Sequence, residues 1–257
     1  MDRSIANTKP MESTSSKTLL RGLDVIEALS DGPLSLADLA QRLSLTRSTT
    51  HRLATTLVER GYLAPGVRSG YRLGPKLLEL GFRAQGQLDL VRVSRRHLEA
   101  LAEATDDTVH LGELDGPAVR YLDKIDGRRR VRISSRIGDL QPLTSTGLGK
   151  ALLVDGEPAE WLAHFMRERV AAPQDIAENW LLTMQRYADA KYAFDLEENE
   201  DQIRCVAAPI RNATGHIVGA ISVSSAAQYM SDARMDELAA TVRDTASQIS
   251  RELGWAR

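Results

Sequence analysis

The chain has 257 residues, 42% hydrophobic and 26% charged, with 33 Lys+Arg against 35 Asp+Glu for a net charge of −2; this is ordinary for a soluble globular protein and long enough for two domains. Its single cysteine, Cys205, excludes an intrachain disulfide and a cysteine-based metal cluster and is consistent with a reducing compartment. No run approaches the roughly 18 apolar residues of a membrane-crossing helix, and residues 1–16 lack a signal peptide's apolar region, so they read as a disordered arm on a cytoplasmic protein.

From Lys17, the apolar residues Leu19, Leu23, Ile26 and Leu29 recur at helical spacing, and Asp31, Gly32 and Pro33 stop the helix they predict. The stretch 34–62 then organises the N-terminal part. Leu36, Leu39, Ala40 and Leu43 mark a short amphipathic helix, with Ser35 as N-cap and Asp38 completing a capping box. Ser44 and Leu45 make a turn, and Thr46 is a suitable N-cap for a second helix. Thr50, Leu53, Ala54 and Leu57 point to the core, while Arg47, Ser48, Thr49, His51, Arg52 and Thr55 point outward. The pattern is a helix-turn-helix with the first helix packed behind it. After Gly61, Tyr62 and Leu63 open a strand, Pro65, Gly66, Ser69 and Gly70 supply turn chemistry, and 71–73 return as a second strand, which makes a wing.

The outward face of the second helix is short, polar and basic. A DNA-reading helix needs donors for phosphates and base edges on its first turns, and Arg47, Ser48, Thr49 and Arg52 are such donors. An ordinary solvated hairpin would also be polar there. Charge separates the two readings: residues 1–86 hold 12 Lys+Arg against 8 Asp+Glu, a balance of +4, which leaves −6 for the remainder. That asymmetry favours a polyanion partner for the N-terminal part. Arg68 at the wing tip is placed to reach a minor groove or a phosphate, unless it is only a solubilising charge.

Leu77, Leu78, Leu80, Gly81 and Ala84 give a further apolar stripe, in a helix that runs to about Gly86 and leads into Leu88 and Val91. So small a winged domain offers no cover for it, so it reads as a linker helix packed on another subunit. A helix over 91–105, with Val93, Leu98, Leu101 and Ala102 inward, begins a second domain. Segments 108–114, 118–125 and 131–135 read as strands, the first two joined at Asp115, Gly116 and Pro117. Segments 146–154, 158–167 and 180–192 read as helices, 203–210 and 217–224 as a hairpin, and 232–253 as a closing helix. The fold class is α+β with a mainly antiparallel sheet. The expected division is an arm at 1–16, a winged helix-turn-helix domain at 17–76, a linker helix at 77–90 and a second domain at 91–257.

The winged segment STTHRLATTLVERGYL is followed by TVHLGELDG, YLDKIDG, SRIGDLQPLTSTGLGKALL, FDLEENEDQIRCVAAPI and GAISVSS. Each piece alone is a weak signal, but six in fixed order and spacing are specific. Together they resemble the IclR family of bacterial transcription regulators over nearly the whole chain from Lys17. Within that family, LDLVR, TVHLGELD, YLDKID and SRIG are similar to the regulators that respond to 2-keto-3-deoxygluconate. The resemblance implies a winged DNA-binding domain joined by a linker helix to a GAF-like effector domain. It implies a homodimer on a pseudo-palindromic double-stranded operator, with pairing to a tetramer as the larger alternative, and neither cofactor nor membrane. Repression of a catabolic operon, relieved by a pathway metabolite, is the expected sign, with activation as its alternative.

The residues themselves support a pocket for a small carboxylate. LTSTGLGKA turns into a helix at Thr146, so the N–H groups of Gly147 and Leu148 sit at the positive end of a helix dipole. Ser222 and Ser224 share one strand face and offer two hydroxyls. By the family's pattern Cys205 and Asp195 close the same pocket. Without the resemblance these features read as a glycine-containing helix cap, paired strand serines and a buried core cysteine. A carboxylate at Asp195 repels a bound acid, so Asp195 is expected at a ligand hydroxyl, as a sugar acid or hydrated aldehyde acid supplies.

Two positions depart from the family's wording. Lys191 stands where glycine is commoner, which bears on the local turn, and 144–146 replaces the commoner His-Ala-Thr, which bears on the polarity of the pocket mouth. Arg128, Arg129 and Arg130 with Arg132 and Arg136 read as a solvated hairpin edge, with a ligand-facing Arg132 as the lesser alternative. The rival class is a hydrolase using Cys205 with His110, His164 or His216, for which there is no local signature. A redox switch at Cys205 needs a second cysteine from another subunit. No metal-ligand spacing stands out around His110 and the carboxylates.

Overall fold

In the computed structural model, which describes residues 16–66, 70–130, 132–170 and 173–256, capped helices build a first unit, Met1–Gln87. The expected arm, apart from Ser16, and the wing-tip Arg68 lie outside the described residues. The elements of this unit are α1 (Lys17–Glu27), β1 (Leu34–Ser35), α2 (Leu36–Arg42), α3 (Arg47–Glu59), β2 (Leu63–Pro65), β3 (Gly70–Leu73) and α4 (Pro75–Gln85). Ser35 Oγ accepts the Asp38 amide at 3.2 Å and donates to the Asp38 carboxylate at 2.6 Å, and Thr46 Oγ1 accepts the Thr49 amide at 3.3 Å. These bonds satisfy amides that a helix start otherwise leaves open. Between α2 and α3, Ser44 takes φ 52°. Val25, Leu29, Leu39, Ala54 and Leu63 form the core.

Two features of this unit differ from the sequence reading. The sheet is three-stranded, in the order β1-β3-β2, because the residues leading into α2 pair with β3. Gly70 permits the approach, since a Cβ there would lie 2.5 Å from the Leu34 carbonyl oxygen. Val25 on α1 and Leu29 just beyond its end are buried, whereas Leu19 and Leu23 on α1 are 63% and 45% exposed. The apolar residues of this helix spread over more surface than one small core can cover.

The second unit, Leu88–Arg257, comprises α5 (Leu90–Thr105), β4 (Thr108–Asp115), β5 (Ala118–Ile125), β6 (Leu140–Pro142), α6 (Gly147–Leu152), α7 (Pro158–Glu168), α8 (Gln174–Ala190), β7 (Ala193–Leu196), β8 (Ile203–Arg211), β9 (Ile217–Ala226) and α9 (Asp232–Glu252). Its six strands are ordered β6-β5-β4-β9-β8-β7, each antiparallel to its neighbours. Alternation along each strand sends side chains to two cores. Val206, Ala208, Ile210, Ile221 and Val223 face α5 and α9. Ala207 and Ala220 face α6, α7 and α8 with Leu148, Trp161, Phe165 and Trp180.

The strand expected at 131–135 is absent. Val131 lies outside the described residues, and 132–136 have no regular structure. Lys124 Nζ donates to the carbonyls of Ile133 at 2.7 Å and Ser135 at 3.0 Å, taking the acceptors that a sheet partner would use. The short strand β6 follows instead. The helix expected at 180–192 starts earlier, at Gln174, and stops at Lys191, which caps it in the left-handed region at φ 59°, ψ 32°. The backbone there makes the turn that favours glycine, and Lys191 makes it without one.

Candidate effector site and nucleic-acid interface

Antiparallel register assembles the effector site. Asp195 of β7 pairs with Cys205 of β8, and Cys205 pairs with Ser224 of β9. In the next row on the same face, Ser222 of β9 lies between Ala207 of β8 and His110 of β4. With α6 above them, these residues enclose a cavity of 110 Å³.

Five of the six predicted effector residues, Leu148, Asp195, Cys205, Ser222 and Ser224, line this cavity. Gly147 stands behind Cys205, where a Cβ would fall 2.5 Å from the sulfur. Glycine at 147 is therefore a packing requirement, not a demand for unusual φ. The Gly147 amide lies beside the same sulfur and opposes the rise of its pKa. With the Leu148 amide it belongs to the helix start, where backbone donors have no partner within the helix. Thr146 fixes the start by accepting the Gly149 amide at 3.0 Å and donating to the Pro142 carbonyl at 2.6 Å.

Sequence reasoning missed several wall residues. His110 Nε2 meets Ser135 Oγ at 2.7 Å, Nδ1 meets Ser224 Oγ at 3.5 Å, and the ring stacks on Tyr121 with centroids 4.8 Å apart. Burial, aided by the charge of Lys124, drives the His110 pKa down to about 3, so the ring is neutral. Burial, with Cys205, Asp195, Asp139 and Glu200 nearby, raises the Tyr121 phenol well above its ordinary value. Behind the lining, the fully buried Lys150 donates to Glu198 Oε1 at 2.7 Å. Asp195 is pushed up to about 6 by burial, against the opposing field of Lys150, and its Oδ1 accepts the Glu198 amide at 2.9 Å. The alternation of β4 was a signal for His110. For Lys150 and Glu198 no local signal existed.

The departure at 144–146 has a simple outcome. Thr144 is buried behind the wall, where the Glu168 carboxylate accepts its amide and hydroxyl and Trp180 Nε1 donates to its carbonyl. Ser145 Oγ reaches Asn199 Oδ1 at 3.1 Å and so ties this segment to loop 197–202.

In the first unit, α3 exposes Arg47, Ser48, His51 and Arg52, with Thr49 and Thr55 half-buried. Thr49 is engaged by the cap, its hydroxyl accepting from Thr46 at 2.9 Å. Among the described residues, the ion pairs of this unit are Arg42–Asp31, Lys76–Glu79 and Arg83–Glu79, so Arg47 and Arg52 keep their donors for another partner. Arg52 also flanks an open apolar groove between α1 and α3, with Leu19, Leu23 and Leu57.

Two family models match the chain: the IclR helix-turn-helix domain over residues 18–65 and the bacterial transcriptional regulator IclR C-terminal domain over residues 82–251. The chain belongs to the IclR family. Among relatives of this IclR-family chain, the Escherichia coli regulator KdgR is 31% identical over 244 residues, covering 93% of each chain. Escherichia coli XynR is 31% identical over 242 residues, covering 91% of this chain and 96% of the other. The crystal structure of the Agobacterium tumefaciens repressor BlcR superposes with a TM-score of 0.79 at 25% identity, covering 95% of this chain and all of that one (100%). The IclR-family chain is thus a DNA-binding transcription regulator.

That placement decides against the hydrolase, and the chemistry agrees. Burial, then the Asp195 carboxylate, pushes the Cys205 thiol up to about 12, while His110 is driven to about 3. A reactive thiolate–imidazolium pair needs both shifts reversed. His164 and His216 do not line the cavity. Among the described residues, no cluster of three or more His, Cys, Asp or Glu could hold a metal ion.

The arginine segment needs one correction. Arg132 is exposed and does not line the cavity, in keeping with the solvated edge and not with the ligand-facing alternative. Arg129 is not a solvated edge charge. It binds the buried Asp107 carboxylate and lies 4.6 Å from the Tyr229 ring centroid, a contact between distant segments that local sequence does not reveal.

Proposed function

We propose that this IclR-family regulator represses its target by binding a pseudo-palindromic operator as a homodimer through α3, and that a small 2-keto or hydroxy acid in the 110 Å³ cavity releases it. The observation that carries the reading is the convergence of Leu148, Asp195, Cys205, Ser222 and Ser224 on one buried polar cavity. Ser222, Ser224 and the Leu148 amide supply donors for a carboxylate, and Asp195 is the acceptor for a hydroxyl. The cavity is well below the roughly 300–1,000 Å³ of drug-sized sites, which favours a short acid. A sugar acid of the 2-keto-3-deoxygluconate type, suggested by the sequence wording, requires loop 197–202 to move outward.

The repressor sign is supported by the relatives BlcR and Escherichia coli YiaJ, both described as repressors. The dimer is supported by α4, where Leu78 and Phe82 are 64% and 66% exposed, and by the few bases that one recognition helix can read. In this reading residues 17–76 bind DNA, 77–90 link and 91–257 sense the effector.

A gel shift on the DNA upstream of its own gene, with and without 2-keto and hydroxy acids, tests the proposal. Arg47→Ala and Arg52→Ala should each weaken operator binding and lower the salt slope by about 1. Ser222→Ala and Ser224→Ala should retain operator binding and lose acid response, each weakening the acid by roughly tenfold. Serine variants that respond like the parent would place the effector elsewhere. Unchanged or reduced reporter expression in a deletion strain would overturn repression.

A further inference from the structure

The cavity is electrically one-sided. Three carboxylates face it, Asp139 ahead of β6, Asp195 on β7 and Glu200 in loop 197–202, and no lysine or arginine lines it. The nearby cations are already engaged. Lys150 Nζ binds Glu198, and Lys124 Nζ binds the Ile133 and Ser135 carbonyls, with Asp126 at 3.1 Å. His110 is neutral. What the buried wall offers is uncharged donors. Ser222 is 1% exposed and lines the cavity, where its hydroxyl can donate to whatever fills the space.

Of the three carboxylates, Asp195 is buried, Asp139 is half-buried and Glu200 is exposed. Asp139 is held in place by the Arg136 amide at 2.8 Å, and Glu200 by the loop that Ser145 and Lys150 tie down. An occupant therefore meets hydroxyl donors on the buried sheet wall and the carboxylate acceptors Asp139 and Glu200 nearer the mouth. Ligand hydroxyls satisfy carboxylate acceptors, whereas a second ligand carboxylate would meet like charge there. Resting on the effector reading above, we propose that the site selects a monocarboxylate whose far end carries hydroxyls, as a diol or a carbonyl hydrate, and that Asp139 and Glu200 reject dicarboxylates.

Calorimetry of the full chain near neutral pH with glycerate, malonate and L-serine tests this, because the three compounds have equal numbers of heavy atoms and differ in charge: malonate carries a second carboxylate at its far end, and serine carries an ammonium where glycerate has its 2-hydroxyl. Glycerate should bind at least about tenfold more tightly than malonate, and serine should bind no more tightly than glycerate. The double variant Asp139→Asn, Glu200→Gln should narrow the glycerate-to-malonate ratio by about tenfold or more, with its melting temperature as the control for folding. Malonate bound as tightly as glycerate overturns the inference, and so does serine bound more tightly, which would mark a cation site. If all bind equally and Ser222→Ala abolishes that binding, the effector cavity stands and only the charge selection fails. If none binds, the cavity reading fails and this inference falls with it.

Discussion

Replacing Asp195 by Asn separates the stability of the empty effector unit from its capacity to hold a ligand. Asp195 is 4% exposed, and burial raises its pKa from 3.8 to about 6 against the field of Lys150 and the Glu198 amide. The folded chain thus holds this proton more tightly than the unfolded chain. Its contribution is fully present below the unfolded value and is lost as pH rises through the folded one, so stability falls between about pH 4 and pH 6. A gap of about two units at 1.36 kcal/mol per unit amounts to roughly 3 kcal/mol of destabilisation at neutral pH. Asparagine cannot ionise and keeps an oxygen for the Glu198 amide. Urea unfolding of Asp195→Asn from pH 4 to pH 8 should therefore show a gain of roughly 2–3 kcal/mol above pH 7 that disappears towards pH 4. Hydroxylated acids should bind this variant more weakly. A difference independent of pH, or a less stable variant at neutral pH, would refute a buried charge at this position.

Ser94 on α5 is fully buried and its hydroxyl has no partner among the described residues, so Ser94→Ala should raise stability by about 1 kcal/mol in denaturant melts; a loss would reveal a hydrogen bond at that hydroxyl. Lys191→Gly should be neutral to stabilising by up to about 1 kcal/mol, because relief of the left-handed conformation outweighs glycine's entropy and the 3.7 Å contact to Asp155 is exposed. Clear destabilisation would show that the lysine does more than cap. Gly147→Ala should cost about 1–3 kcal/mol by overpacking against the Cys205 sulfur. Adding Cys205→Ala should recover much of that loss, since the next contacts of such a Cβ lie at 3.5 Å. Strict additivity in this double-mutant cycle would disprove the contact.

Features of short range in the chain were legible from the sequence. Ser35 and Thr46 announced their helices because an N-cap acts within three residues, and Leu39, Ala40, Thr50 and Ala54 showed their core face because helical period is local. Ser222 and Ser224 could be put on one face for the same reason. The family resemblance extended this to Gly147, Leu148, Asp195 and Cys205, whose shared cavity no local pattern reveals.

The tertiary structure decided what depends on register and burial. That β1 joins the wing, that Lys124 holds 132–136 out of the sheet, and that Lys191 turns without glycine follow from partners brought together by folding. His110 faces Ser222 only because β4 pairs with β9 in one particular register, and a slip of one residue would turn every side chain to the opposite core. Burial then sets the chemistry. The same Asp, Cys and His side chains would titrate ordinarily in water, but in this cavity Asp195 rises to about 6, Cys205 to about 12 and His110 falls to about 3. Residue type and spacing determined which helices form and which family the chain joins. The charge states and the one-sided field of the pocket came from removing those residues from water beside neighbours distant in the chain.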